Sequence, residues 1–236
     1  MCIIIVKPKG VSLPNRSILE TCFDNNPDGA GYAVCQEKSI YIEKGFFQFE
    51  NLYNRLLKNI TTEKDALIHF RIATTGLVDK GNTHPFVITK NIAILRKREI
   101  TTGKTAVAHN GILSDFGNHS KLSDTQEFIR DVLADPVIYD GLYNNKAIQA
   151  MITRYINTDK LAFINYRKGL LMMGKFIKDG GCFYSNDGYK PVSNFWDITK
   201  DFCDICENFK TGYNSSFTDN YICEECKGGI NSGYKK

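Results

Sequence analysis

An α+β layered sandwich is the fold class this sequence predicts, on three observations. Strand-like runs come in groups and helix-like runs in groups, without the regular β–α alternation that a doubly wound parallel sheet needs. The chain has 236 residues and is 42% hydrophobic, enough for one good-sized domain with a real core. From about Asp197 aliphatic residues thin out and Cys, Asp, Glu, Asn and Gly take over, so a main domain over 2–196 is followed by a small appendage.

The elements follow in chain order. "MCIIIVKPKG" opens with an Ile-rich run, a buried strand stopped at Lys7 and Pro8. "NRSILETCFDN" places Ile18, Leu19, Cys22 and Phe23 on a helical stripe, with Asn15 as its cap. "NPDGAG" is turn chemistry, and "YAVC" and "SIYIEKG" alternate like a hairpin. "ENLYNRLLKNI" is helical, with Leu52, Leu56, Leu57 and Ile60 on one face. "ALIHFRIAT" and "KTAVAHNGIL" are strands, the second broken by the Asn110–Gly111 turn signal. The basic cluster Arg96–Arg98 reads as a solvated loop. "SDTQEFIRDVL" is a helix capped by Ser123 or Asp124 with Glu127 in its first turn, "NKAIQAMITRYI" is another, and "KLAFINY" and "GLLMMGKF" form a hairpin around "RKG". Cys22, Cys35 and Cys182 read as core residues, His69, His84 and His109 as structural, and His119 as surface loop.

The net charge of +4 does not argue for nucleic acid. No apolar run approaches the ~20 residues that span a bilayer, and the apolar start is too short for a signal peptide. The expectation is a cytoplasmic protein with no membrane partner, in which thiols stay reduced. Its eight cysteines then call for metal, catalysis or burial ahead of disulfides.

Taken alone, Cys2 reads as a small apolar residue at a strand start, Arg71 as a strand surface residue and Asp124 as an N-cap. Taken in order, Cys2, "HFRIATTG" (69–76), "HNG" (109–111) and "SDT" (123–125), together with "NTHPF" (82–86) and "NPDGAGYAV" (26–34), resemble the class II glutamine amidotransferases. These are N-terminal nucleophile hydrolases, and the resemblance covers about residues 2 to 195. It implies a four-layer αββα sandwich with the nucleophile at the start of the first strand. It also implies oxyanion donors at the Asn110 side-chain amide and the Gly111 backbone N–H, and a pocket lined by Thr74, Thr75 and Gly76. Two positions depart from the family pattern. Ile72 stands where an aromatic residue is frequent, and Thr75 where His or Ser is frequent.

The chemistry of these residues is coherent. Removal of Met1 exposes the α-amine of Cys2. A model α-amine titrates near ~8 and a thiol near ~8.5, so one residue holds both nucleophile and general base. Arg71 suits a substrate carboxylate as a bidentate fork, and Asp124 an ammonium. Gly111 suits a turn that presents its N–H and tolerates no bulk.

"CDIC" and "CEEC" place Cys203, Cys206, Cys223 and Cys226 as two CxxC pairs separated by sixteen residues, the spacing of a zinc ribbon. A structural zinc would fold a segment (197–230) that has little core of its own; residues 231–236 read as a disordered tail. The predicted function is hydrolysis of glutamine to glutamate and ammonia, with the ammonia passed to an acceptor on a separate synthase partner. The alternatives are hydrolysis of another γ-glutamyl compound, or a non-catalytic zinc-containing binding module.

Overall fold

The computed structural model describes residues 2–73, 77–117 and 121–190. The elements are β1 (Ile3–Lys7), α1 (Arg16–Asp24), β2 (Ala30–Cys35), β3 (Ile40–Phe46), α2 (Phe49–Asn59), β4 (Ala66–Phe70), β5 (Phe86–Val87), α3 (Ile92–Leu95), β6 (Glu99–Thr102), β7 (Ala106–Asn110), α4 (Asp124–Phe128), α5 (Pro136–Gly141), α6 (Lys146–Ile156), β8 (Lys160–Asn165), β9 (Gly169–Met173), β10 (Ile177–Asp179) and β11 (Cys182–Tyr184). The fold is α+β with two antiparallel sheets. The first has seven strands in the order β10-β11-β1-β4-β2-β3-β6, and the second four in the order β5-β7-β8-β9.

Side-chain alternation in β1 shows what each face of the first sheet meets. Ile3 and Ile5 point to a cluster with Leu19 and Cys22 of α1 and Leu52 and Leu56 of α2. Ile4 and Val6 point the other way, to Ala106 and Ala108 of β7 and Ala162 and Ile164 of β8. Both faces of the strand are buried, so it reads as a continuous apolar run. The small alanines of the second sheet allow its close approach to the first. The opposite face of that sheet offers Val107, Leu161 and Phe163 to Phe128 and to Ile148, Ile152 and Ile156 of α6.

Local signals set most element ends. Asn15 accepts from Ile18 N–H at 2.9 Å, a cap worth about 1 kcal/mol. At α4 the cap is Ser123, which accepts from Gln126 N–H while its own N–H donates to Gln126 Oε1, a capping box, with Glu127 in the first turn as expected. A π-helical turn, Ile129–Leu133, continues α4.

Three local readings change. Leu57 is 55% exposed, because it lies about 100° around the helix from Leu56 and off the Leu52–Leu56 stripe. The strand at "ALIHFRIAT" ends at Phe70, since the following residues leave the ladder for the site. Arg96 is no solvated loop residue: it pairs with Asp79 at 2.8 Å and donates to Asn82 Oδ1 at 2.9 Å. Lys44 reinforces the same turn from below, donating to Gly81 O and Leu95 O over the Phe86 ring. Burial pulls its ammonium well below the usual lysine range. Cys22 and Cys182 are buried as expected, and Cys35 packs half-buried on the cluster between the sheets.

Candidate functional site

The site is built where the end of β1 meets the ends of β4 and β7. In the β1–β4 ladder Ile3 faces Phe70, so the antiparallel register brings the next residues out, Cys2 and Arg71, to the same end of the sheet. The half-buried Cys2 thiol donates to Ile72 O at 3.3 Å, and Ile72 N–H reaches the sulfur at 3.4 Å. Its carbonyl accepts from Asn186 Nδ2 at 2.8 Å. Burial pushes the thiol up from its ordinary value, against the opposing effects of the Ile72 backbone bond and the Arg71 charge.

Arg71 is 3% exposed. Its N–H donates to Gly29 O, its carbonyl accepts from Asp28 N–H, and its guanidinium donates to Leu77 O at 3.1 Å. Burial lowers its affinity for the proton, while the charges of Cys2, Asp28, Asp79 and Asp124 raise it. A guanidinium remains charged in such surroundings. Asp28 also accepts from Ala73 N–H at 2.8 Å, tying down the chain just past Arg71.

Asn110 ends β7 in the other sheet and is buried. Its Nδ2 donates to Ser185 Oγ at 2.8 Å, and the same oxygen accepts from Ile4 N–H at 2.9 Å. Ser185 thus fixes the Asn110 amide to the strand that carries Cys2. A second link joins the sheets behind it, His69 Nε2 lying 3.0 Å from His109 O. Gly111 has φ +153°, and a Cβ there would fall on the Asp159 carboxylate.

Asp124 opens α4 and is 5% exposed. Its carboxylate accepts from Leu113 N–H at 2.9 Å and from Thr125 N–H at 2.7 Å. Gln126, two residues on, donates to Gly81 O at 3.1 Å, binding this helix to the Asp79–Asn82 turn.

The structure therefore places Cys2 and Arg71 at one sheet end, links Asn110 to the same strand through Ser185, and sets Asp124 at a helix start that acts electrostatically on Arg71. Thr74, Thr75, Gly76, His119 and the four cysteines Cys203, Cys206, Cys223 and Cys226 lie outside the described residues. Among the described residues no group of three or more His, Cys, Asp or Glu is arranged to hold a metal ion, and no helix is long and apolar enough to cross a membrane. Sequence reading missed Asp159, Ser185 and Asn186, which no motif or periodicity marks, and took Asp28 only as part of the "NPDGAGYAV" turn.

No protein-family model matches the chain. Over 89 residues it is 33% identical to the glutamine–fructose-6-phosphate aminotransferase (isomerizing) of Pyrococcus horikoshii, a match covering 38% of this chain and 13% of that relative. Among solved structures, the glutamine phosphoribosylpyrophosphate amidotransferase of B. subtilis, complexed with ADP and GMP, aligns with 78% of this chain and 41% of its own, at 14% identity and a TM-score of 0.43. The chain thus spans a small part of the first protein and less than half of the second. In sequence, it is similar to the class II glutamine amidotransferases.

Proposed function

We propose that this chain hydrolyses the side-chain amide of glutamine to glutamate and ammonia, with Cys2 as nucleophile, and passes the ammonia to an acceptor on a separate partner. The observation that carries the reading is that Cys2 and the buried Arg71 leave the same end of the β1–β4 pair, with the Asn110 amide tied through Ser185 to Ile4 of that strand. The three apolar clusters, one on the outer face of each sheet and one between the sheets, support a four-layer αββα sandwich for the main domain.

After removal of Met1, the Cys2 α-amine takes the proton from Sγ. A thiol pushed up by burial needs such a base. The sulfur attacks the amide carbon, and the carbonyl oxygen becomes an oxyanion held by Asn110 Nδ2 and Gly111 N–H. The C–N bond breaks as the α-ammonium returns its proton to the leaving nitrogen, releasing ammonia and leaving a γ-glutamyl thioester. Water, giving a proton to the α-amine, then attacks the thioester carbon; the C–S bond breaks, the sulfur takes that proton back as the thiol, and glutamate leaves. Arg71 takes the substrate α-carboxylate and Asp124 the α-ammonium. Thr74, Thr75 and Gly76 complete the pocket.

The appendage is proposed to hold one structural zinc on Cys203, Cys206, Cys223 and Cys226. Four thiolates suit a closed tetrahedral site with no open position, so amide hydrolysis runs without it.

The test is ammonia release from glutamine by the full chain, with intact mass measured on the same sample. Mass should show loss of Met1, and Cys2→Ala should abolish turnover. Full activity with Met1 retained would falsify the assignment. Faster hydrolysis of γ-glutamyl peptides than of glutamine would redirect it to that substrate class.

A further inference from the structure

The turn after Asn110 is gripped by a carboxylate that the reaction above does not use. Asp159 lies between α6 and β8 with its side chain 20% exposed. Its Oδ2 accepts from Ile112 N–H at 3.0 Å and lies 3.3 Å from His109 Nε2. One oxygen therefore holds the chain on both sides of Gly111. The missing side chain of Gly111 is what admits it, because a Cβ would overlap the carboxylate carbon and both oxygens.

The contact continues into the helix that carries Asp124. His109 Nδ1 lies 2.9 Å from Thr125 Oγ1, and Thr125 N–H donates to Asp124 Oδ1 at 2.7 Å. Asp124 Oδ2 in turn accepts from Leu113 N–H at 2.9 Å. The path runs from Asp159 through His109, Thr125 and Asp124 to Leu113, and back along the backbone to Ile112. Two carboxylates thus clamp successive N–H groups of one short segment.

Glycine is the residue least able to hold its own backbone angles. The Gly111 N–H belongs to the peptide plane before Cα and the Ile112 N–H to the plane after it, so Gly111 is the hinge between them. An oxyanion donor has to be held within about 0.5 Å of its working position. Hydrogen bonds to a carboxylate are about twice as strong as neutral ones, which suits this restraint.

We propose that Asp159, together with His109, is a positioning residue that locks the 110–113 turn and sets the separation between the Gly111 N–H and the Asp124 carboxylate. The proposal rests on the reading of Gly111 as an oxyanion donor and of Asp124 as the ammonium acceptor.

The experiment compares full-length wild type, Asp159→Ala and Asp159→Asn by three measurements: hydrogen exchange of the Ile112 amide, kcat and KM for glutamine, and the rate of Cys2 alkylation by iodoacetamide. In Asp159→Ala the Ile112 amide should exchange at least ~10-fold faster, because its carboxylate acceptor is gone. Its kcat should fall by about 10- to 100-fold, short of the ~10²–10³ lost with a whole oxyanion donor. Its KM should move by less than about threefold. Alkylation needs no oxyanion donor and should stay within about twofold. Asp159→Asn keeps an oxygen for Ile112 N–H and should restore both slow exchange and most of kcat. The proposal is overturned by unchanged Ile112 exchange in Asp159→Ala, by a kcat at the wild-type level, by a rise in KM alone, or by an Asn variant as impaired as Ala. Should the Ala variant fail to fold, Asp159→Ser replaces it in the same comparison. If wild type releases no ammonia from glutamine, the proposed function fails on its own, and the exchange comparison alone decides whether Asp159 holds the turn.

Discussion

Replacing Ser185 with alanine tests how the Asn110 amide, proposed as an oxyanion donor, is held. Ser185 Oγ accepts from Ile4 N–H at 2.9 Å and from Asn110 Nδ2 at 2.8 Å. Ile4, Asn110 and Ser185 are 0%, 2% and 2% exposed, so water does not readily replace the lost oxygen. The ladder bond from Ser185 N–H to Ile4 O survives the change. Each buried donor left without an acceptor costs about 1–3 kcal/mol, and two of them, with partial relaxation, about 2–4 kcal/mol. At about 2–4 °C per kcal/mol for a domain of this size, Tm should fall by about 4–16 °C. The freed Asn110 amide loses its fixed orientation, and kcat for glutamine should drop by about 10- to 100-fold, bounded by the ~10²–10³ cost of removing the donor outright. Ser185→Thr keeps the oxygen and should recover most of both losses. Thermal melts followed by circular dichroism and an ammonia-release assay read the two effects. An alanine variant that melts within about 1 °C of wild type and keeps its kcat refutes the reasoning.

Three further outcomes are expected. Arg71→Lys replaces a planar fork with a point charge and should raise KM for glutamine by about 10- to 100-fold with a smaller effect on kcat; equal hydrolysis of glutamine and of an analogue lacking the α-carboxylate by wild type contradicts it. Burial lowers the His69 pKa to about 3 and that of His84 well below its ordinary value. The unfolded chain alone therefore takes up these protons below about pH 6.5, and stability is lost as pH falls through that point, on the order of 1 kcal/mol per pH unit for each histidine. His84 packs, tilted, between His69 and Phe86, at 4.2 and 4.4 Å between ring centroids, so His84→Phe should flatten the drop in urea-unfolding stability from pH 7 to pH 5, and an equally steep drop in both proteins rules this out. Metal analysis should find one zinc per chain, lost in Cys203→Ser/Cys223→Ser without loss of glutaminase activity; activity that declines in step with zinc would sink the structural assignment.

What the sequence determined by itself is what short-range chemistry decides. The Ile-rich run after Cys2, the Asn15 cap and the hairpins at "YAVC"/"SIYIEKG" and "KLAFINY"/"GLLMMGKF" depend on neighbours a few residues away, and they stand where those signals put them. The motif order named Cys2, Arg71, Asn110, Gly111 and Asp124 as site candidates through the resemblance to the class II glutamine amidotransferases. Only the tertiary structure decided what holds them. Asn110 is oriented by a serine 75 residues away, Cys2 by Asn186 and Ile72, and Gly111 by an aspartate that a Cβ would displace. Neither spacing nor hydrophobic period encodes those partners, since they follow from sheet register and from how closely two sheets can approach. The same physics drew Arg96 into an ion pair, since a loop charge acquires its partner only when another segment packs against it.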